Sequence, residues 1–162
     1  MKNKRAAGNS AVQTVLKNIA TLGFIGYLPY APGTFGSLVG LVSFLIYKPS
    51  LHAHIVLIVT GTLTGICASS AAERLLGEKD SRKIVIDELI GFYVAAFYLP
   101  ESPVFIVAAF LLFRFFDILK PLPINKLEKA LSHGFGIMAD DILAGIFTNV
   151  ILQILLYAYK FF

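Results

Sequence analysis

Charge is scarce in this chain. Asp, Glu, Lys and Arg make up 15% of its 162 residues, against about 25% in an average soluble domain. Tryptophan is absent, and cysteine occurs once, at Cys67. One cysteine excludes an intramolecular disulfide framework and a cysteine-based zinc site. Basic residues outnumber acidic ones, 14 to 10, but nowhere form a stripe, so no nucleic-acid-binding face is expected. Alternating apolar–polar strand patterns are essentially lacking, which makes the fold class all-α. No repeat, low-complexity stretch or linker divides the chain, so residues 1–162 read as a single domain. What is abundant is apolar: 57% of residues are hydrophobic and the mean hydropathy is +0.76. Such a composition excludes a disordered chain. It leaves a membrane protein, or a compact helical protein seated on a membrane.

The apolar runs are unequal. Residues 142–162 carry one charge, Lys160, and are long enough to span a hydrocarbon core. This stretch is the predicted C-terminal membrane helix. Residues 55–72 are uncharged but diluted by Thr and Ser. Residues 37–47, 89–99 and 103–113 are shorter, a length that suits buried core helices equally well. Residues 1–10 read as a basic cytoplasmic tail. Residues 11–25 read as an amphipathic helix on the membrane surface or the protein body, being too polar for the core of a signal peptide. Lys and Arg gather in the tail, in 73–83 and in 114–132, whereas 48–54 holds one Lys and 100–102 none. If all five apolar runs cross, the positive-inside rule puts the amino terminus inside and the carboxyl terminus outside. The expected architecture is a compact multi-helix bundle, membrane-associated or multi-pass.

Against this apolar background stand four polar islands: YAPGTFGS (30–37), IVIDELIG (84–91), FRFFDILKPLP (113–123) and HGFGIMADDILAG (133–145). They hold five of the ten acidic residues: Asp87, Glu88, Asp117, Asp140 and Asp141. Ionisable residues at membrane depth are costly and point to function. The Lys/Arg topology sends all four islands to the cytoplasmic side. Clustered carboxylates repel one another unless a cation neutralises them. With oxygen ligands that cation is Mg²⁺, which takes one or two carboxylates, waters and phosphate oxygens. Asp87, Glu88, Asp140 and Asp141 are the predicted metal ligands. Helix-terminus stabilisation is the alternative for Asp140 and Asp141.

Arg114, Asp117 and Lys120 recur at i, i+3 and i+6, placing plus, minus and plus on one helix face before Pro121. A salt-bridged helix end is the plain reading. The functional one is a carboxylate beside two phosphate-binding cations. Gly33, Thr34, Gly36 and Ser37 open an apolar helix, where free amides suit an anion. Thr34 and Ser37 are equally good N-caps. The predicted phosphate-binding residues are Thr34, Ser37, Arg114 and Lys120. The predicted catalytic residues are Asp117, Asp87 and Asp141, with Asp117 either completing the metal shell or orienting a water as general base. Cys67 and Arg74 form C-x6-R rather than the C-x5-R of cysteine phosphatases, and Cys67 reads as a core residue. No P-loop and no covalent phosphatase signature occurs, which favours direct attack by metal-assisted water.

In order and spacing, the segments APGTFGS (31–37), IVIDELIG (84–91), FRFFDILKPLP (113–123) and HGFGIMADDILAG (133–145) resemble the phosphatidylglycerophosphatase A family. Together they cover most of 29–145. The chain departs at His133, where a Gly is usual, and at Leu119 and Leu122, where Trp is commoner. The resemblance implies a magnesium-dependent phosphomonoesterase that converts phosphatidylglycerophosphate to phosphatidylglycerol and phosphate. It also implies a helical fold with soluble relatives, and the expected location is a bacterial-type inner membrane with the active site on the cytoplasmic face that the Lys/Arg pattern indicates. The expected partners are the lipid substrate, the bilayer and, as an open alternative, a second copy of the chain. Rival readings are a small membrane transporter and a non-catalytic subunit of phospholipid synthesis.

Overall fold

The computed structural model describes residues 2–121, 131 and 133–161, with side chains described for 11–121, 131 and 133–159. Lys126 and Lys129, counted above among the cytoplasmic cations, and Leu122 lie outside the described residues. Six helices are described, and no strand occurs among these residues: α1 (Lys2–Ala20), α2 (Pro32–Tyr47), α3 (Leu51–Leu76), α4 (Ile86–Ala95), α5 (Pro103–Leu119) and α6 (Gly134–Phe161). A single 3₁₀ turn, Ile25–Tyr27, joins α1 to α2.

The boundaries follow local chemistry. Pro32 and Pro103 sit in the first turns of α2 and α5, where a missing N–H costs nothing. Ser50 caps α3 by accepting from the Ala53 amide, and Gly77 closes it in the left-handed conformation at φ +67°. Two boundaries differ from the sequence expectation. The basic tail and the amphipathic segment are one helix, α1, because Lys, Arg and Ala at its start are good helix formers. It stops at Ala20, short of 25, where Leu22 and Gly23 turn to positive φ. The C-terminal helix starts at Gly134 rather than 142 and so takes in the whole HGFGIMADDILAG island apart from its first residue.

Helix α4 is the centre of the molecule. Ile86, Asp87, Ile90, Gly91, Phe92, Tyr93 and Ala95 are all buried. Its ten residues rise about 15 Å, half of a hydrocarbon core. The run 89–99 is therefore a buried core helix with a turn after it, not a full crossing. Two glycines let α6 lie against α4. A Cβ on Gly145 would strike the Gly91 carbonyl oxygen, and one on Gly91 would stand 2.9 Å from the Asp141 carbonyl oxygen and 2.8 Å from the Phe113 ring. Further along, Asn149 donates to the carbonyls of Ala95 (3.1 Å) and Phe97 (2.6 Å). These contacts advance in the same direction on both helices, so α4 and α6 run parallel. Helix α2 keeps the same sense: Gly36 meets Val85 and Glu88, and Gly40 meets Leu89 and Phe92. Helix α5 runs the opposite way, with Phe110 packed on Phe92 and Phe113 on Gly91. The starts of α2, α4 and α6 and the end of α5 therefore meet at one end of the bundle.

Two helices, α3 and α6, are long and apolar enough to cross a membrane by length and composition. Large apolar side chains face outward on several elements, among them Ile46 of α2, Leu63 of α3, Leu111 and Ile118 of α5, and Ile154 of α6. Cys67 belongs to this outward surface. It is not the core residue that its apolar neighbours suggest, because it lies on the exposed side of α3 while Ala68 and Ser69 are buried.

Candidate active site

The common end of α2, α4, α5 and α6 holds all five island acids. Asp87 and Glu88 lie in the first turn of α4. Asp141 lies one turn before Gly145, just as Asp87 lies one turn before Gly91, so the close glycine contact sets these acids side by side. Oxygens of Asp87, Glu88 and Asp141 fall within 4.8 Å of one another. Asp87 and Asp141 are buried at 8% and 3% exposure. One oxygen of each of the three, Asp87 Oδ1, Glu88 Oε2 and Asp141 Oδ2, is buried with no hydrogen-bond partner among the described residues. Buried charges are ordinarily paired or bound to metal. An all-oxygen donor set with unused lone pairs fits a hard cation such as Mg²⁺.

Electrostatics agree with crowding. Burial, followed by the Glu88, Asp140 and Asp117 charges, holds the Asp87 carboxyl well above the usual carboxylate range. Burial and then the Asp141 and Asp117 charges push the Glu88 carboxyl up to about 8, against the opposing pull of Arg114.

Cations and hydroxyls line one side. The Arg114 guanidinium pairs with Asp117 one helical turn on and donates to Ser37 Oγ at 3.4 Å. Its Nε is buried without a partner among the described residues. Ser37 is itself inside α2, donating to the Gly33 carbonyl at 3.0 Å, and is not an N-cap. Thr34 is half-buried in the first turn of α2 and caps nothing, the N-cap position being Ala31. Because α2 begins at Pro32, the amides left without a helical partner are those of Gly33 and Thr34, not of Gly36 and Ser37. Gly33 lies so close to the Glu88 carboxylate and Arg114 that a side chain there would collide with Glu88.

Two expectations change. Asp140 and Asp141 do not serve the helix terminus: α6 starts at Gly134 and neither acid lies in its first turn. Asp140 also stands apart from the three-carboxylate group, taking a 2.5 Å bond from Lys120 Nζ, with its other oxygen on the Asp141 amide at 3.1 Å. Lys120 is not on the face of Arg114 and Asp117. Helix α5 ends at Leu119, and Lys120 is its C-cap at φ +40°, which swings the side chain toward α6. Pro121 prevents the helix from continuing.

One residue escaped the sequence reading. Glu73, placed there in a cytoplasmic loop, is the buried last turn of α3. It accepts from the Asp80 amide at 2.9 Å, and its other oxygen is 3.3 Å from His133 Nδ1. Ser70, one turn earlier, accepts from the Gly134 amide at 3.1 Å. Together they pin the start of α6. His133 sits at φ +55°, a left-handed conformation that glycine adopts without strain. This accounts for the Gly usual there in the family it resembles.

The profile of the phosphatidylglycerophosphatase A family matches residues 18–156. The chain belongs to the phosphatidylglycerophosphatase A family. It is 42% identical over 131 residues to a Haemophilus influenzae protein named phosphatidylglycerophosphatase A, covering 78% of this chain and 79% of the relative. An Escherichia coli protein of the same name is 34% identical over 133 residues, covering 78% and 75%. A Bacteroides thetaiotaomicron protein, provisionally named a phosphatidylinositol-3-phosphatase, is 36% identical over 138 residues, covering 80% and 86%. No solved structure matches the chain. Membership in this phosphatase family makes the chain a phosphoric monoester hydrolase. The family match contains all five acids, Arg114 and Lys120.

Proposed function

We propose that this enzyme hydrolyses phosphatidylglycerophosphate to phosphatidylglycerol and inorganic phosphate, with Mg²⁺ as cofactor, at the cytoplasmic face of an inner membrane. The observation that carries the reading is the convergence of three carboxylates, Asp87 and Asp141 buried and Glu88 half-buried, each with an oxygen that lacks a partner among the described residues. Asp87, Glu88 and Asp141 would hold the ion. When bound, Mg²⁺ neutralises phosphate charge and acidifies a water. Asp117, tethered by Arg114 and close to the acids, orients the attacking water and takes its proton. Arg114 offers its unused Nε–H to a phosphate oxygen, and a planar guanidinium suits that contact. Asp140 keeps the Lys120 ammonium at the edge of the site, where it offsets charge developing on the phosphate. The water oxygen bonds to phosphorus as the phosphorus–oxygen bond to glycerol breaks, the released glycerol oxygen takes a proton from solvent, and Asp117 returns its proton to solvent.

The lipid substrate is supported by the names of the two phosphatidylglycerophosphatase relatives and by the outward apolar side chains of α2, α3, α5 and α6. The cytoplasmic face is supported by the Lys and Arg bias, since Arg114 and Lys120 share the acid-bearing end. The Bacteroides relative gives a second lipid phosphomonoester to test. Phosphate release from phosphatidylglycerophosphate, phosphatidylinositol 3-phosphate and soluble glycerol phosphate, each in mixed micelles, separates the readings. Turnover is expected to be highest on phosphatidylglycerophosphate. Preference for the inositol lipid moves the substrate assignment to that class, and no release from any of them refutes it.

A further inference from the structure

The corner between α1 and α2 carries a feature that the catalytic chemistry does not use. Lys17 Nζ stands 6.0 Å and Lys83 Nζ 5.5 Å from the centroid of one ring, that of Tyr27. Among the described residues neither ammonium has a carboxylate partner. Two like charges gathered on one ring, in a chain this poor in charge, are a concentration of positive potential. The ring attracts each cation, but nothing described there neutralises them. The corner is also unusually apolar for an exposed turn: Phe24 is 72% and Tyr30 101% exposed. Exposed aromatic rings beside lysines are the composition of a membrane–water interface.

Its position is fixed by backbone contact. Gly26 lies directly against the Lys83 carbonyl, where no side chain fits, and the Val85 amide donates to the Ala20 carbonyl at 2.9 Å. The same strand of chain then enters α4 at Asp87 and Glu88. We infer that Lys17, Tyr27 and Lys83 form a docking site for the phosphate headgroup of an anionic phospholipid, seated beside the catalytic acids. The aromatic rim favours lipid over a soluble acidic partner, because Phe24 and Tyr30 have no described apolar cover of their own. An enzyme whose product is anionic would thereby be held most firmly where anionic lipid has accumulated. The inference rests on the lipid-phosphatase reading for that consequence, but not for the binding itself.

The chain contains no tryptophan, so Tyr27→Trp supplies a unique fluorophore, and indole holds cations at least as well as phenol. The full-length variant, in nanodiscs of phosphatidylcholine, is titrated with phosphatidylglycerol or phosphatidylcholine bearing brominated acyl chains. Brominated phosphatidylglycerol is expected to reach half-quenching at a mole fraction about 25-fold lower than brominated phosphatidylcholine, the product of two lysine contributions. Lys17→Gln and Lys83→Gln should each reduce that preference by about fivefold, the scale of one basic side chain at an anionic surface, and both together should remove it. Equal quenching by the two lipids, or a preference that survives in the double variant, overturns the inference. Turnover on phosphatidylglycerophosphate is measured on the same samples. Normal turnover without lipid preference defeats the docking site alone, and lipid preference without turnover defeats the catalytic reading alone.

Discussion

At the scale of single residues, the site is a contest between burial and charge. Asp87 and Asp141 each place an unpartnered oxygen in a buried position, and such a group is tolerated only when something compensates it. Asp87→Asn and Asp141→Asn remove one charge each while keeping shape. Phosphate release should fall at least 10²-fold in either, the scale of losing one charge-stabilising group. The thermal unfolding midpoint without metal should hold or rise, because repulsion is relieved. Near-normal turnover in both variants contradicts the assignment. Glu88 supplies a pH signature. Its folded carboxyl titrates at about 8, above the ordinary 4.5, so the folded chain binds this proton more tightly than the unfolded one. That stability is complete below about 4.5 and is lost as pH climbs to about 8. Metal-free protein should therefore melt at progressively lower temperature from pH 5.5 to 8, and Mg²⁺ should protect it most at the alkaline end. A flat melting profile in EDTA would show that the acids are not coupled by burial.

At the scale of elements, the acids meet because helices approach closely. Gly91 and Gly145 bring the α4 and α6 backbones together one turn past Asp87 and Asp141. Gly145→Ala should cost about 1–3 kcal/mol by overpacking, and activity should fall further than stability, since the added methyl pushes Asp141 away from Asp87. Denaturant unfolding alongside kcat checks both, and an active, unshifted Ala variant refutes the helix-contact account. The residues now in the cluster were legible as acids in apolar settings, and their grouping at one end followed from the Lys/Arg pattern. Which acids come within a few ångströms of one another was not legible, because it depends on α6 beginning at Gly134, well before the apolar run. The pairing of Lys120 with Asp140 was hidden for a similar reason: a left-handed lysine after Leu119 breaks the helical spacing that put it beside Asp117. Glu73 gave no signal at all, since its role is to anchor His133 and Asp80 from a helix end.

At the scale of the whole molecule, a sparse charge content and an outward apolar surface belong to one design. The parallel starts of α2, α4 and α6 and the end of α5 collect the costly polar groups at one pole, leaving the flanks to apolar side chains. Helix α4, too short to cross, becomes the buried axis on which the pole is built. A bundle arranged in this way can keep its chemistry at the surface of a bilayer while its substrate stays in the lipid. The central claim is that this pole is a divalent-cation centre serving a lipid phosphatase. Its most direct test is phosphate release from phosphatidylglycerophosphate by the purified full-length chain, first in EDTA and then on titration with Mg²⁺. The account predicts no release in EDTA, full recovery with Mg²⁺, and no recovery in Asp141→Asn. Release that continues unchanged in EDTA would contradict it.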